Sequence, residues 1–195
     1  MNLAQAGLFD DVPGLPEGLA YRPDFLTPAE EAALAARIEA LPFAPFQFHG
    51  FEGKRRIVSF GWRYDFNEGG LKRADPFPDW LGPLAQRAAD FADAPAPSVA
   101  QALITEYAPG AGIGWHRDRP PFAEVIGVSL LAPCRFRFRR REGDGWRRCA
   151  FVAEPRSAYL LRGPARFDWE HSIPPLDQLR YSITFRTMRE PHGNR

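Results

Sequence analysis

The spacing of hydrophobic residues changes about halfway along this 195-residue chain. Before residue 99, two segments repeat apolar positions every three or four residues, which is the period of an amphipathic helix. After residue 99, apolar residues alternate with polar ones or run together over short segments between turn residues, which is typical of β-strands. The pattern therefore predicts helices in the N-terminal half and mainly strands in the C-terminal half.

The first predicted helix has clear signals at both ends. Thr27 and Glu30 have the spacing of a capping box, and Pro28 suits the first helical position. Pro42 ends the apolar repeat that follows. A second helix is predicted over residues 80–92, because apolar side chains recur on one face.

Strands are predicted over residues 43–66, where they alternate with loops, and in six segments further on. The six segments are 101–107, 125–131, 134–139, 146–152, 158–161 and 180–187. Short strands at this spacing indicate an antiparallel jelly roll made of two sheets. The expected fold is therefore mostly β (α+β), with a double-stranded β-helix (jelly roll) core and N-terminal helices.

The length of the chain is that of one domain, so we expect a single domain over residues 1–195. It would consist of a loosely attached segment (1–19), a helical and lid region (20–98), the jelly-roll core (99–188) and a tail (189–195). The longest apolar run, 125–134, is too short to cross a bilayer, and no secretory signal is visible at the N-terminus. These features favour a cytoplasmic protein that does not contact membranes.

Charge is unevenly distributed although the net charge is only +1. Residues 1–100 carry 9 basic and 14 acidic side chains, whereas residues 101–195 carry 16 and 10. The positive half is therefore the one expected to meet an anionic partner.

The two cysteines, Cys134 and Cys149, flank a predicted hairpin and are expected to be buried thiols rather than a disulfide.

A histidine and an aspartate stand two residues apart after a glycine-rich approach. On an extended strand, His116 and Asp118 would project from the same face, because side chains alternate with a period of two. Such a pair supplies two ligands to one metal ion, and His171 is the candidate for a third. Two histidines and one carboxylate form the facial triad of non-haem Fe(II) oxygenases. A His-x-Asp alone is equally compatible with a surface ion pair.

The segment after His171 contains two arginines on one face of a predicted strand. Arg180, Ser182 and Arg186 share this face, and apolar residues occupy the other. If the face points inward, each guanidinium needs an anionic partner, which a dicarboxylate ligand would provide. If the strand lies at an outer edge, the arginines would instead be solvated.

Together these elements make the chain similar to the AlkB-like Fe(II)/2-oxoglutarate-dependent dioxygenases. The resemblance covers roughly residues 20 to 188 and rests on the order of its motifs. These are Tyr107 with the three residues after it, His116-x-Asp118, His171-x-Ile173, Arg180-x5-Arg186, and the segment 54–61 with Tyr64, which is similar to the family's substrate lid.

The resemblance implies roles for individual residues. His116, Asp118 and His171 would bind iron and form the catalytic centre. Arg180 and the Tyr107 hydroxyl would hold the distal carboxylate of 2-oxoglutarate. Arg186 would lie near the metal-chelating end of this cosubstrate, and Ser182 would lie between the two arginines.

Two positions depart from the family pattern. Thr105 stands where many members have an asparagine; it can still form a hydrogen bond to the cosubstrate but has a shorter reach. Pro120 stands where many base-repairing members have an acidic residue that contacts the base. The second change affects the assignment of the substrate, not the iron chemistry.

Candidate substrate-binding residues are aromatic or basic side chains near these motifs. They are Trp62, Tyr64, Arg56 and Trp115, and Phe46, Phe48, His49, Lys54 and Arg55 are also available beside them. A flipped base needs flat apolar surfaces on which to stack. The same aromatic side chains could instead belong to the hydrophobic core. The arginine-rich hairpin at 135–148 could bind along a phosphate backbone, or it could be a solvent-exposed face.

The expected function is demethylation of N-alkylated bases in DNA or RNA, with Fe(II), 2-oxoglutarate and O2 as cofactors and cosubstrates. Nucleic acid carrying alkylated bases would then be the partner of a monomeric enzyme. The alternative is the same chemistry on a protein side chain or a small molecule, which Pro120 and the near-neutral charge favour. A binding module that lost its metal is disfavoured by the intact ligand set.

Overall fold

The computed structural model describes residues 14–48, 51–65, 68–94 and 99–189. The helices of this part of the chain are α1 (Pro28–Glu39), α2 (Gly82–Phe91) and α3 (Gly163–Phe167). The strands before residue 99 are β1 (Leu19–Arg22), β2 (Ala44–Phe48), β3 (Phe51–Phe60), β4 (Trp62–Tyr64) and β5 (Leu71–Arg73). The strands after it are β6 (Val99–Tyr107), β7 (Ile113–His116), β8 (Phe122–Leu130), β9 (Cys134–Glu142), β10 (Gly145–Ala153), β11 (Ala158–Leu161), β12 (Glu170–Ile173) and β13 (Arg180–Met188).

The strands form two main sheets and one small one. The seven-stranded major sheet has the order β1-β11-β8-β13-β6-β3-β2, and the four-stranded minor sheet has the order β10-β9-β12-β7. The strand pairs within both sheets are antiparallel. A two-stranded ribbon, β4-β5, lies beside them. The mostly β architecture predicted from the sequence is confirmed.

The two predicted helices are present. The Thr27 side chain accepts a hydrogen bond from the Glu30 backbone, and the Glu30 carboxylate accepts one from the Thr27 backbone. This capping box begins α1 at the predicted residue. The second helix begins slightly later than expected, because residues 79–81 form a 3-10 turn before α2.

Four short strands were not among the predicted segments. They are β1, β7 and β12, of four residues each, and β5, of three residues. Such strands carry little intrinsic preference, and the neighbouring strands of a sheet determine them. The β7 and β12 pair matters most, because it carries both histidines of the predicted metal site.

The described end of the N-terminal segment forms backbone hydrogen bonds with residues 162–165. The Gly18 carbonyl accepts a hydrogen bond from the Arg162 backbone, and the Glu17 carbonyl accepts one from the Ala165 backbone. Leu19 is buried at the start of β1. Residues 1–13 of this segment and residues 190–195 of the predicted tail lie outside the described residues.

Two hydrophobic cores cover the two faces of the major sheet. One contains residues of α1 and α2, among them Ile38 and Leu84, and the apolar face of β13, including Ile183. The other brings Phe136 and Phe138 of the minor sheet against residues of the major sheet. The helices thus cover one face of the major sheet, and the minor sheet faces the other.

The two cysteines are free thiols. Cys134 is buried, Cys149 is half-buried, and neither forms a disulfide. In the β9–β10 pairing Cys134 lies opposite Ala153 and Cys149 lies opposite Phe138, so the two thiols do not face each other.

None of the described helices combines the length and the apolar character required to span a membrane.

Candidate active site

The two histidines of the predicted triad lie side by side on neighbouring strands. His116 at the end of β7 is the register partner of His171 in β12. Their ring centroids are 4.2 Å apart. The Nδ1 atom of His116 is 2.9 Å from the Gly114 carbonyl oxygen. Because a carbonyl can only accept, Nδ1 carries the proton and Nε2 is left to bind a metal.

Asp118 completes the cluster from outside the strand. Strand β7 ends at His116, so the shared strand face assumed from the sequence is not what brings Asp118 to the site. Its carboxylate lies 3.5 Å (Oδ2) from His171 Nε2. The ligand atoms of the three residues all lie within 4.8 Å of one another. Two imidazoles and one carboxylate at this separation suit a small divalent cation.

Arg186 fixes the orientation of the Asp118 carboxylate. Its Nε donates to Asp118 Oδ1 over 2.7 Å, and its Nη2 contacts the same oxygen. Nη1 donates to Gln101 Oε1 over 2.8 Å, and the Gln101 amide donates to the Trp62 carbonyl. One carboxylate oxygen of Asp118 is thus held by Arg186, and the other faces the histidines.

The protonation states of the three residues are those that metal binding requires. Burial alone would raise the pKa of the Asp118 carboxyl, but Arg186 and the two imidazoles hold this pKa well below its ordinary value. Burial lowers the pKa of His116, and burial together with His116 lowers the pKa of His171 to about 3. At neutral pH the site therefore presents one carboxylate and two neutral imidazoles.

Arg180 points inward and carries buried nitrogens without partners. The residue is fully buried, and only its Nε is paired, through a hydrogen bond to Ser129 Oγ. Its Nη1 and Nη2 are buried with no hydrogen-bond partner. The guanidinium lies over the Tyr107 ring, with Cζ 5.2 Å from the ring centroid. Two unsatisfied donors on a buried cation fit a carboxylate, which can accept from both.

A cavity of about 560 Å³ lies between the sheets and contains the triad. The major sheet contributes Thr105, Tyr107 and Ser182 to its lining, and the minor sheet contributes Trp115 and Phe136. Arg186 also lines it, whereas Arg180 is not among the described lining residues and adjoins it through Tyr107. Four of the five predicted cofactor residues thus line a single cavity, and the fifth, Arg180, lies behind Tyr107.

The four predicted substrate residues separate into two pairs. Tyr64 and Trp115 line the cavity. Trp62 and Arg56 do not belong to its described lining: Trp62 lies under the Arg73 guanidinium, 4.1 Å from Cζ to the ring centroid. Arg56 projects from the opposite face of β3, where it forms a two-point ion pair with Glu106.

Four further side chains line the cavity. Phe46 and Arg55 were considered in the sequence for a base-stacking platform, whereas Gln101 and Tyr159 were not candidates. The period of two in a strand places Arg55 and Arg56 on opposite faces of β3, so only one of them can face the cavity. Tyr159 lies in an apolar strand that the sequence marks as core, so no local signal distinguishes it.

The arrangement can bind a divalent metal and an anionic chelator within one partly enclosed space. The neutral imidazoles and the carboxylate would hold the metal on one side. Arg180 would hold a carboxylate of the chelator against Tyr107. The remainder of the cavity is lined by aromatic and basic side chains and leaves room for a substrate.

Comparisons with known proteins agree with this chemistry. Residues 18–186 match the family model of the 2OG-Fe(II) oxygenase superfamily. A curated relative, the alkylated DNA repair protein ALKBH8 homolog of Arabidopsis thaliana, is 29% identical over 198 aligned residues. The alignment covers 88% of this chain but 56% of the relative, so the chain spans about half of that protein's length.

Solved structures show the same fold at low sequence identity. OsALKBH1 superposes with a TM-score of 0.67 at 17% identity, covering 89% of this chain and 97% of the other. A prolyl-4-hydroxylase from Pseudomonas putida superposes with a TM-score of 0.60 at 16% identity, covering 89% and 94%. These two structures support the jelly-roll architecture and do not discriminate between substrates.

Proposed function

Because the chain belongs to the 2OG-Fe(II) oxygenase superfamily, we propose that it demethylates N-alkylated bases in DNA or RNA. Membership makes it a dioxygenase, an oxidoreductase that uses Fe(II), 2-oxoglutarate and O2. The observation that carries the proposal is the cavity in which the triad, the buried Arg180 and aromatic side chains come together. The relative's name supports a nucleic-acid substrate.

Fe(II), 2-oxoglutarate and O2 together supply an oxidative decarboxylation that yields succinate and CO2 and hydroxylates a C–H bond of the substrate. The protein supplies positions. His116, Asp118 and His171 would hold the iron, and Arg180 with Tyr107 would hold the distal carboxylate of 2-oxoglutarate. A hydroxylated N-methyl group then leaves as formaldehyde when its nitrogen recovers a hydrogen.

Arginine and tryptophan side chains on the outer face of the minor sheet support a nucleic-acid partner. Cζ of Arg139 lies 4.6 Å from the ring centroid of Trp115 and 4.2 Å from that of Trp146. Cζ of Arg137 also lies near the Trp115 ring, 5.1 Å from its centroid. Trp115 also lines the cavity, so this basic and aromatic face is continuous with the candidate site.

The negative charge on this face is limited. Glu170 pairs with Arg139. Arg135 and Arg148 have no ion pair within the part of the chain that the structure describes. Interleaved cations and aromatic rings suit a single strand, whose phosphates meet arginine and whose bases stack.

The proposal is tested by formaldehyde release and by binding. A methylated single-stranded oligonucleotide should release formaldehyde with iron and 2-oxoglutarate present, and an unmethylated one should not. The logarithm of the binding constant should fall linearly with the logarithm of the salt concentration, with a slope of roughly −0.7 per neutralised phosphate. An Arg135→Gln/Arg148→Gln variant should lose about one to two of these contacts. An Arg22→Gln/Arg37→Gln control should retain them.

The second candidate is the same chemistry on a protein side chain or a small molecule. Pro120 favours it, because the position offers no carboxylate to a base, and so does the net charge of +1. Under this alternative the oligonucleotide would not bind even at low salt. Succinate would still form from 2-oxoglutarate when the true substrate is supplied.

A further inference from the structure

The lining of the cavity carries an excess of positive charge. Its lining contains Arg55, Arg117, Arg119 and Arg186. Among the described lining residues Asp118 is the one carboxylate, and it is bonded to Arg186 within the candidate metal site. Arg55 and Arg117 form no ion pair with an acidic side chain among the described residues.

Arg55 is the arginine most clearly directed into the cavity. It shares the inner face of β3 with Ile57 and Ser59, which also line the cavity. Its guanidinium lies over the Phe46 ring, 3.7 Å from Cζ to the centroid, and forms no hydrogen bond or ion pair with another described residue. The neighbouring Arg56 shows the contrast, since Glu106 neutralises it on the opposite face.

The segment after the metal ligands adds to this charge. Arg119 lies over the Tyr64 ring, 4.8 Å from Cζ to the centroid. Pro120 follows it and provides no carboxylate. Arg117 donates to the Asp168 backbone carbonyl over 3.3 Å and forms no ion pair with an acidic side chain among the described residues.

We propose that this cavity selects an alkylated base that is uncharged and presents carbonyl oxygens, and that Arg55 excludes bases made cationic by alkylation. The inference rests on the proposed function and narrows its substrate class. Arg55 would donate hydrogen bonds to a ring carbonyl while its plane stays on Phe46. It is a specificity-determining residue rather than part of the metal site.

The physical basis is the sign of the charge. An arginine remains protonated even when partly buried, and it donates hydrogen bonds but accepts none. A ring carbonyl supplies the acceptor that the guanidinium needs. A cationic base supplies a like charge in a space from which water is largely excluded, where repulsion is stronger than in solution.

Two oligonucleotides of one sequence provide the probes. One carries 3-methylthymine, which is uncharged and has two ring carbonyls, and the other carries 1-methyladenine, which is cationic at neutral pH. Affinity is measured anaerobically on the holoenzyme with Fe(II) and 2-oxoglutarate, so that no turnover occurs. Formaldehyde release is then measured in air. Both readouts should favour 3-methylthymine in the wild-type protein.

Variants of Arg55 test its part in this preference. Arg55→Gln should reduce the affinity ratio of the two probes by about tenfold, which is the scale of one like-charge contact. Arg55→Lys keeps the charge and should keep the direction of the preference. Arg37→Gln removes one positive charge from the exposed end of α1 and serves as the matched control, with an unchanged ratio.

The outcomes separate this inference from the proposed function. A wild-type preference for 1-methyladenine, or a ratio that Arg55→Gln leaves unchanged while both probes are demethylated, overturns the role of Arg55. If neither probe binds and neither releases formaldehyde, although succinate forms with another substrate, the proposed function itself fails. A preference for 3-methylthymine that is lost in Arg55→Gln and kept in Arg37→Gln supports the inference.

Discussion

Arg180 and Arg186 lie six residues apart on one strand, yet their surroundings differ. Arg186 is paired with Asp118 and Gln101. Arg180 is fully buried with two nitrogens unpaired. The period of two in the sequence predicts that both point the same way. The sequence does not reveal that the protein itself neutralises Arg186, because Asp118 lies 68 positions away in the chain.

Replacement of Arg180 by methionine should separate binding from stability. The affinity for 2-oxoglutarate should fall by about 100-fold, because two charge-assisted hydrogen bonds are lost. The melting temperature without 2-oxoglutarate should not fall, because an uncompensated buried charge is removed. Calorimetric titration and thermal unfolding measure the two effects.

Arg166 provides the matched comparison. It is equally inaccessible, but its guanidinium donates to the backbone carbonyls of Arg119, Phe122 and Ala123. Arg166→Met should therefore lower the melting temperature by about 5 °C or more, because three buried carbonyls lose their donors. A similar loss of stability in Arg180→Met would contradict the unpaired state of Arg180.

Asp118 is expected to be indispensable for metal binding. Asp118→Ala removes one ligand and leaves Arg186 without its partner, so both iron affinity and succinate formation should fall by more than about 100-fold. Metal titration of the purified variant measures the first quantity and succinate release the second. Wild-type iron affinity in this variant would exclude Asp118 as a ligand.

At the scale of elements, β8 and β11 show how close packing shapes the cavity wall. A Cβ atom at Gly127 would lie 2.1 Å from Cζ of Tyr159, which lines the cavity. Gly127→Ala should therefore lower the melting temperature by roughly 3–10 °C, as overpacking does. It should also weaken 2-oxoglutarate binding, because the tyrosine ring must move.

Gly145→Ala is the control for this substitution. Its Cβ would meet Glu142 at 3.8 Å, an ordinary contact, and Gly145 lies at the hairpin end away from the cavity. Its melting temperature should stay near the wild-type value. If Gly127→Ala unfolds at the wild-type temperature, the close approach of β8 to Tyr159 is wrong.

The register of the β9–β10 hairpin keeps the two cysteines too far apart to form a disulfide. Cys149 lies four residues along β10 from Ala153, the partner of Cys134. That offset is about 13 Å along a strand, beyond the span of a disulfide. Burial raises the pKa of both thiols. Mild oxidation should give no intramolecular disulfide, and alkylation followed by mass spectrometry should modify Cys149 before Cys134.

At the scale of the whole molecule, the sequence predicted the architecture more fully than the site. The helices and most strands follow from periodicity and end signals, such as the Thr27 capping box. The four-residue strands β7 and β12 do not, because their pairing depends on the assembled minor sheet. The convergence of His116 and His171 is a property of that pairing rather than of either segment.

Substrate recognition was the least predictable part. Trp62 and Arg56 were chosen for their chemistry, but β3 and β4 direct them to other partners. Gln101 and Tyr159 take positions in the cavity that only the tertiary structure defines. The orientation of a strand decides which of its side chains face a ligand. A shift of one residue in register turns each of these side chains to the opposite face.

The central claim is that His116, Asp118 and His171 form one metal site with Arg180 as the anchor of 2-oxoglutarate. An anaerobic crystal structure with Fe(II) and 2-oxoglutarate tests it most directly. The iron should lie about 2.0–2.2 Å from His116 Nε2, His171 Nε2 and one Asp118 oxygen, and the distal carboxylate should accept hydrogen bonds from Arg180. Iron bound without one of these three side chains, or a distal carboxylate held by Arg55 in place of Arg180, would contradict it.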